Sequence, residues 1–447
     1  MDRTALQDLI KWKKSKNRKP LILRGARQVG KTTLVNQFSA EYSQYIYLNL
    51  ERPDHIHFFD SLNTIKEIVE SLFLKFELQP DYSNTLLFID EIQESPKTIA
   101  LLRYFYEDIP GLHVISAGSL LEFSLQHVKS FPVGRVSFMY LFPLNFEEFL
   151  NALDKKNAVK AFNQVPISET AKNTLFDLFH MYVLVGGMPE VVKRYIQTNS
   201  FVGLIEIYAS IWETYKSDVR KYAKSSTEEK VITHIIGSAY NFLDQRVTFQ
   251  NFGNSNYKSR EVGEAFRSLD EAKVIQLIYP STSVDFPIIP DFRKKPRLQF
   301  LDIGLVNHGL NIQHELIGVK DLSTAYKGAL IPQLVTQELI STNKFSYHKP
   351  NFWVREKKQS SAEVDMVIPF RGLLIPIEIK SGSIGKLRSL HQFMDACPHG
   401  YAVRMYAGKF EVHTAKTTNG KEFKLLNLPY FLGLKLNEYL EWFIESQ

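Results

Sequence analysis

Apolar residues along this 447-residue chain follow two rhythms that replace one another several times. From Asp2 to Lys16, Leu6, Leu9, Ile10 and Trp12 recur at helical spacing, which predicts an amphipathic helix. Leu21-Ile22-Leu23 is a short unbroken apolar run of the kind a buried strand shows, and helical spacing returns from Lys31 to about Phe38. Tyr45 to Leu50 alternates and is rich in aromatics, so it reads as a second strand, followed by a helix over Ile65 to Phe76. Leu86 to Ile89 and His113 to Ser116 are further strands. Strands alternating with helices predict an α/β unit with a parallel sheet up to about residue 150.

The pattern then changes. Asn151 to about Tyr222 reads as helical, broken at Gly186-Gly187-Met188-Pro189, because two glycines and a proline end a helix. Those residues fit either a hinge or a plain helix–helix turn. Glu228 to Tyr279 predicts a helix, a second helix around Tyr257 to Leu269, and the strand Val274 to Ile278. Beyond it come a strand at Leu298 to Leu301 and a helix over Gly328 to Ser341. Alternation on both sides of Arg371-Gly372 marks a hairpin of Glu363–Ile368 with Leu373–Ile379. A helix, a strand at Tyr401 to Tyr406, a turn at Asn419-Gly420 and a helix at Leu436 to Phe443 complete the chain. The expected units are 1–150, 151–290 and 291–447.

Composition narrows the class. Hydrophobic content of 44% and charged content of 23% are those of a globular protein, and no apolar run approaches the roughly 20 residues of a membrane span. The first twenty residues lack the uncharged apolar core of a signal peptide. One cysteine, Cys397, excludes an intramolecular disulfide and fits a reducing, cytoplasmic setting. A net charge of +6 is compatible with nucleic acid without pointing to it. No histidine pairs with the cysteine at metal spacing.

The chemistry concentrates after the first strand. Gly25-Ala26-Arg27-Gln28-Val29-Gly30-Lys31-Thr32 matches the phosphate-loop template at every fixed position. Gly25 and Gly30 allow the backbone to wrap a polyphosphate, the helix beginning near Lys31 aims its positive end at that anion, and Thr33 adjoins it. Lys31 is expected to reach the β- and γ-phosphates of ATP, and Thr32 to ligate magnesium. Asp90 and Glu91 close an apolar strand; Asp90 is expected to hold the metal and Glu91 to activate water. This acid beside the metal ligand suits water attack better than transfer to an acceptor. Ser116 and Ser119 are candidates to sense the γ-phosphate. Arg135 can supply positive charge in cis or to a neighbour in a homo-oligomer, or can be a structural, ion-paired arginine.

GARQVGKTT, LLFIDEIQ, ISAGS, VGRV and PLNFEEF, in this order, resemble the AAA-type ATPase half of a large prokaryotic family. In that family the ATPase is joined to a C-terminal domain once catalogued as unknown in function. Gly186–Glu190, Gln299–Leu305 and Glu378–Gly382 extend the resemblance over nearly the whole chain. It implies ATP and magnesium as cofactors. It also implies a winged helix in the middle unit, where Lys258, Arg260 and Arg267 would meet DNA phosphates or the module would serve only for packing.

In the C-terminal third, Asp365 and the Glu378-Ile379-Lys380 triplet spell D…E-x-K. Period two puts Glu378 and Lys380 on one face of their strand. Two carboxylates gathering magnesium beside a lysine form a nuclease core, with Glu338 as a further ligand and Gln392 orienting the site. The pattern resembles the restriction-endonuclease fold, which the family resemblance also implies. Three readings stay open: an active metal-dependent nuclease on DNA, the same fold without cleavage, or a solvated strand face.

Overall fold

The computed structural model describes residues 1–61, 64–119, 131–223, 225–316, 328–357, 360–382 and 387–446. Five strands, β1 (Leu21–Arg24), β2 (Gln44–Asn49), β3 (Thr85–Asp90), β4 (His113–Ala117) and β5 (Ser137–Tyr140), form a sheet in the order β2-β3-β4-β1-β5. Every pairing in it is parallel. The unbroken apolar runs follow from burial on both faces. Leu21 and Leu23 enter one apolar cluster, while Ile22 between them enters another. β4 lies between β1 and β3, so the strand ends carrying the phosphate loop and the acidic pair flank it.

Helices Lys172–Val185, Pro189–Thr198 and Leu204–Tyr222 follow the sheet, then helices Ser226–Ser238 and Ser259–Glu271. After them β6 (Ile275–Ile278) pairs antiparallel with β8 (Arg297–Phe300), across the expected division at residue 290. A seven-stranded mixed sheet takes the order β13-β14-β12-β11-β10-β9-β7. Its members are β7 (Pro280–Ser281), β9 (Asn351–Lys357), β10 (Ser360–Phe370), β11 (Leu373–Ile379), β12 (Tyr401–Tyr406), β13 (Glu411–Lys416) and β14 (Glu422–Pro429). The β10–β11 hairpin turns at Arg371-Gly372, both at positive φ (47° and 78°).

One apolar core joins the two large sheets: the cluster holding Leu23 and Phe88 also holds Phe146, Leu334, Ile377 and Phe443. The break at Gly186–Pro189 lies inside this junction. Gly187 donates its amide to Asp302 Oδ2 (2.6 Å) and accepts from the Leu144 amide (2.7 Å). A Cβ on Gly187 would stand 2.1 Å from the Leu144 carbonyl oxygen. The segment read as a hinge or a simple turn is therefore a packed knot, and the glycines are there because backbones meet.

Beside it, Glu338 on helix Leu330–Ser341 accepts from the Phe146 amide (3.0 Å) and from the Tyr182 hydroxyl (2.8 Å). Burial pushes the Glu338 carboxyl up to about 8 and that of Asp302 up to about 6. Glu338 thus serves the junction, not the hairpin site expected from its sequence position. Among the described residues no single helix is long and apolar enough to cross a membrane.

Candidate functional site

The phosphate loop leaves β1 at Gly25 (φ 145°), where a Cβ would meet the Leu141 carbonyl oxygen at 2.2 Å. Gln28 and Gly30 also take positive φ, 63° and 93°, and helix Lys31–Phe38 begins directly afterwards. Ala26 and Val29 are buried beneath the loop, while Thr33 is exposed on the first turn of the helix. Lys31 is 8% exposed, and its ammonium donates to the carbonyls of Gly25 and Ala26, each at 2.9 Å. Burial lowers its pKa to about 8, against the pull of Glu91 and Asp90. The lysine fills the concavity of its own loop with positive charge.

Thr32 Oγ1 donates to Asp90 Oδ2 at 2.7 Å, although 58 positions separate them. Asp90 also accepts from the Glu91 amide (3.1 Å) and lies 3.4 Å from the Tyr47 hydroxyl, and burial raises its pKa. A hydroxyl and a carboxylate in contact are hard oxygen donors, a pair that fits magnesium. Glu91 sits in the left-handed region (φ 50°), and the Gln93 amide donates to Glu91 Oε2 at 2.6 Å.

The two serines have different surroundings. The Ser116 hydroxyl points within the sheet toward the Leu21 carbonyl (3.5 Å). Ser119 lines a small cavity with Gly25, Arg24 and Tyr140, and its buried hydroxyl has no partner among the described residues. Arg135 is half-exposed and binds Glu107 Oε1 at 2.9 Å.

Three residues around the loop carry no motif. Arg3 is buried, donating to the Val29 carbonyl (2.9 Å), the Phe142 carbonyl (2.6 Å) and Glu148 (3.0 Å). From helix Leu204–Tyr222, the Tyr215 hydroxyl donates to the Arg27 carbonyl (2.9 Å) and Asp218 binds the Arg27 guanidinium (2.6 Å). The sequence offers only one charge among many at these positions, and the partners lie far along the chain.

In the seven-stranded sheet, Asp365 stands opposite Glu378, one step on from the Met366–Ile377 pair. An irregularity of β10 against β9 between Val364 and Val367 brackets it. Lys380 Nζ donates to Glu378 Oε1 at 2.5 Å, and Asp365 Oδ2 accepts from the Ile379 amide at 2.8 Å. Gln392 accepts from Arg355 at 3.3 Å.

Arg297 was not foreseen here. It binds Asp244 (3.1 Å) and Glu363, and lies 3.6 Å from Asp365 Oδ1; Arg246 holds the other oxygen of Glu363 at 3.2 Å. Burial opposes the charge on Arg297, but Asp244, Asp365 and Glu363 together hold it protonated. Burial, then Asp365, raises the Glu378 carboxyl to about 7. As arranged, these carboxylates are answered by guanidinium and ammonium groups and do not fit a divalent ion. Among the described residues no cluster of three or more His, Cys, Asp or Glu side chains is gathered for one.

Family models match the chain in three stretches: an AAA domain over residues 17–150, a domain of unknown function (DUF8612) over 176–316 and another (DUF4143) over 327–431. No curated protein matches. Among solved structures, the Walker-type ATPase of Pyrococcus abyssi aligns at 16% identity over 69% of this chain and 95% of that one, with a TM-score of 0.44. Caenorhabditis elegans PCH-2 aligns at 14% identity over 42% and 58% of the two chains (TM-score 0.24). The Pif1 helicase of Candida albicans aligns at 9% over 39% and 45% (TM-score 0.22). The family match, with the phosphate loop and the parallel sheet that carries it, identifies residues 17–150 as a P-loop ATPase domain of the AAA type.

Proposed function

We propose that the chain binds and hydrolyses ATP with magnesium and couples that cycle to an action on DNA. The contact of Thr32 with Asp90 carries this reading, because it joins the two halves of a nucleotide site from separate strands. Gly25 to Thr33 hold the phosphates, and Lys31 leaves its own loop carbonyls for them. Magnesium, held by Thr32 and Asp90, would neutralise phosphate charge. Glu91 takes the proton of the attacking water once released from Gln93. Ser119 offers its unpartnered hydroxyl to the γ-phosphate. Arg135, bound to Glu107 within the chain, serves a neighbouring copy in a homo-oligomer. The working units are 1–150, 151–290 and 291–447, in a cytoplasmic protein.

For the C-terminal unit we favour an endonuclease-like fold that holds nucleic acid without cutting it. Arg297 supports this over a magnesium-dependent nuclease, since it occupies the carboxylates of Asp244, Glu363 and Asp365. The winged-helix reading of helices Ser226–Ser238 and Ser259–Glu271 with β6 and β8 belongs to the same proposal. Arg260 pairs there with Glu264 on its own helix (3.0 Å).

The test is ATP turnover by the full chain with and without DNA, alongside DNA cleavage in magnesium or manganese. Turnover lost in Lys31→Ala and raised by DNA, with no cleavage, is expected. Turnover that survives Lys31→Ala would end the ATPase reading. Cleavage abolished by Asp365→Ala or Lys380→Ala would restore the nuclease.

A further inference from the structure

Between β7 and β8 the chain makes a fixed, strongly basic turn. The Asp291 amide donates to the Pro280 carbonyl (2.8 Å), the Lys294 amide to the Asp291 carbonyl (3.1 Å), and the Val247 amide to the Pro296 carbonyl (2.8 Å). The turn is thus tied at both ends, and at its far end to the strand segment that carries Arg246. Arg293, Lys294, Lys295 and Arg246, with Asp291, line an open cleft of about 760 Å³. The single acid is already bound to Arg293 (3.1 Å), so the lining carries excess positive charge.

Apolar groups stand exposed on the same turn: Phe292 is 72% exposed, Ile289 67% and Phe286 53%. The Phe292 ring is braced by Tyr279 at 4.9 Å, edge to face, which holds an aromatic surface out to solvent. Cations that track phosphates, interleaved with an exposed aromatic, are the two requirements for binding a single strand, whose bases are free to stack. Duplex would use the charge and leave the ring idle. The cleft also leads inward, since Arg246 reaches Glu363, and Glu363 shares Arg297 with Asp365.

We infer that the turn 291–295 with Arg246 and Phe292 is a binding site for a single-stranded polynucleotide. The site feeds the strand toward the Asp365–Glu378 cluster. This rests on the nucleic-acid reading proposed above and moves its contact surface away from Lys258, Arg260 and Arg267.

Fluorescence anisotropy on the full-length protein tests it, with labelled oligo-dT, oligo-U and a duplex of equal length. Arg293→Glu/Lys294→Glu/Lys295→Glu should weaken oligo-dT binding by at least about tenfold, and flatten its dependence on salt by about two units of log–log slope. Phe292→Ala should weaken oligo-dT while leaving duplex binding unchanged, and circular dichroism should show both variants folded. Binding of oligo-U alongside oligo-dT supports a site that reads backbone and stacking; binding of oligo-U alone overturns the DNA assignment. If the wild type binds oligo-dT and the triple variant binds it equally well, the cleft is wrong while the DNA reading survives. If the wild type prefers duplex and ignores Phe292→Ala, the single-strand assignment fails. If the wild type binds none of the three, the site and the DNA reading fail together.

Discussion

Asp218 binds the guanidinium of Arg27 at 2.6 Å, joining the phosphate loop to a helix 191 residues further along. Asp218 is 4% exposed, so its charge depends on partners inside the protein. Arg27→Gln removes that cation and should cost about 1–3 kcal/mol of stability. Adding Asp218→Asn should return part of the loss, giving a coupling of at least about 0.5 kcal/mol in a double-mutant cycle by urea denaturation. Additive effects would mean the pair is not coupled.

Glu91→Gln should leave ATP binding intact and slow hydrolysis by about 100-fold or more, since it removes the base without touching Lys31 or Thr32. Gln93→Ala, which frees the carboxylate of its 2.6 Å amide donor, should raise the basal rate of turnover. Steady-state phosphate release checks both.

Lys31 titrates near 8 in the protein without nucleotide because it is buried. Its charged form is the one that binds phosphate. Below about pH 8 the ammonium is present before binding; above it, binding must take up a proton. The dissociation constant for ADP should therefore rise by up to about tenfold per pH unit above 8. Calorimetry in buffers of different ionisation enthalpy should register proton uptake at pH 9 and little at pH 6.5.

Glu338 and Asp302 titrate near 8 and 6, raised by burial. A raised carboxyl holds its proton in the folded chain and releases it in the unfolded one, whose ordinary value is about 4. The unfolded state then binds fewer protons, so stability falls as pH rises from about 4 through 8. Glu338→Gln should flatten the upper part of that fall. Glu338→Ala should lower the melting temperature at every pH, because it strands the Phe146 amide and the Tyr182 hydroxyl.

Arg297→Gln leaves Asp244, Glu363 and Asp365 without their shared cation. A loss of about 3–5 kcal/mol is the usual consequence of breaking a buried pair. Millimolar manganese should restore part of the melting temperature in this variant and leave the wild type unchanged. A wild type stabilised as much as the variant would show that the carboxylates already fit a metal.

The nucleotide half was legible because its chemistry is local in sequence. Gly25 to Thr32 sit on one turn, and Asp90-Glu91 end one apolar run. Adjacent residues thus announced a site that the sheet only had to bring together. Arg3, Tyr215 and Asp218 escaped because a lone charge or hydroxyl has no periodicity, and each acts on a loop many residues away. Asp365, Glu378 and Lys380 were legible for the same local reason as the phosphate loop. What surrounds them was not: Arg297 arrives from another sheet, and it changes the chemistry the triplet implied. Glu338 fell within the expected helix, yet one-dimensional spacing could not say which neighbour its carboxylate would face. Gly186 and Gly187 looked like freedom and turned out to be crowding.

The bond from the Phe146 amide to Glu338 has a practical side. Phe146 opens the helix that closes the ATPase segment, and its ring packs on Phe162, Phe179 and Tyr182. Ending the polypeptide near residue 150 would remove the carboxylate that receives this amide and bare the rings around it. A fragment designed to isolate the nucleotide-binding portion would inherit a raw, sticky surface. Expression trials should retain the helix Leu330–Ser341, because the enzyme's autonomy ends where that glutamate begins.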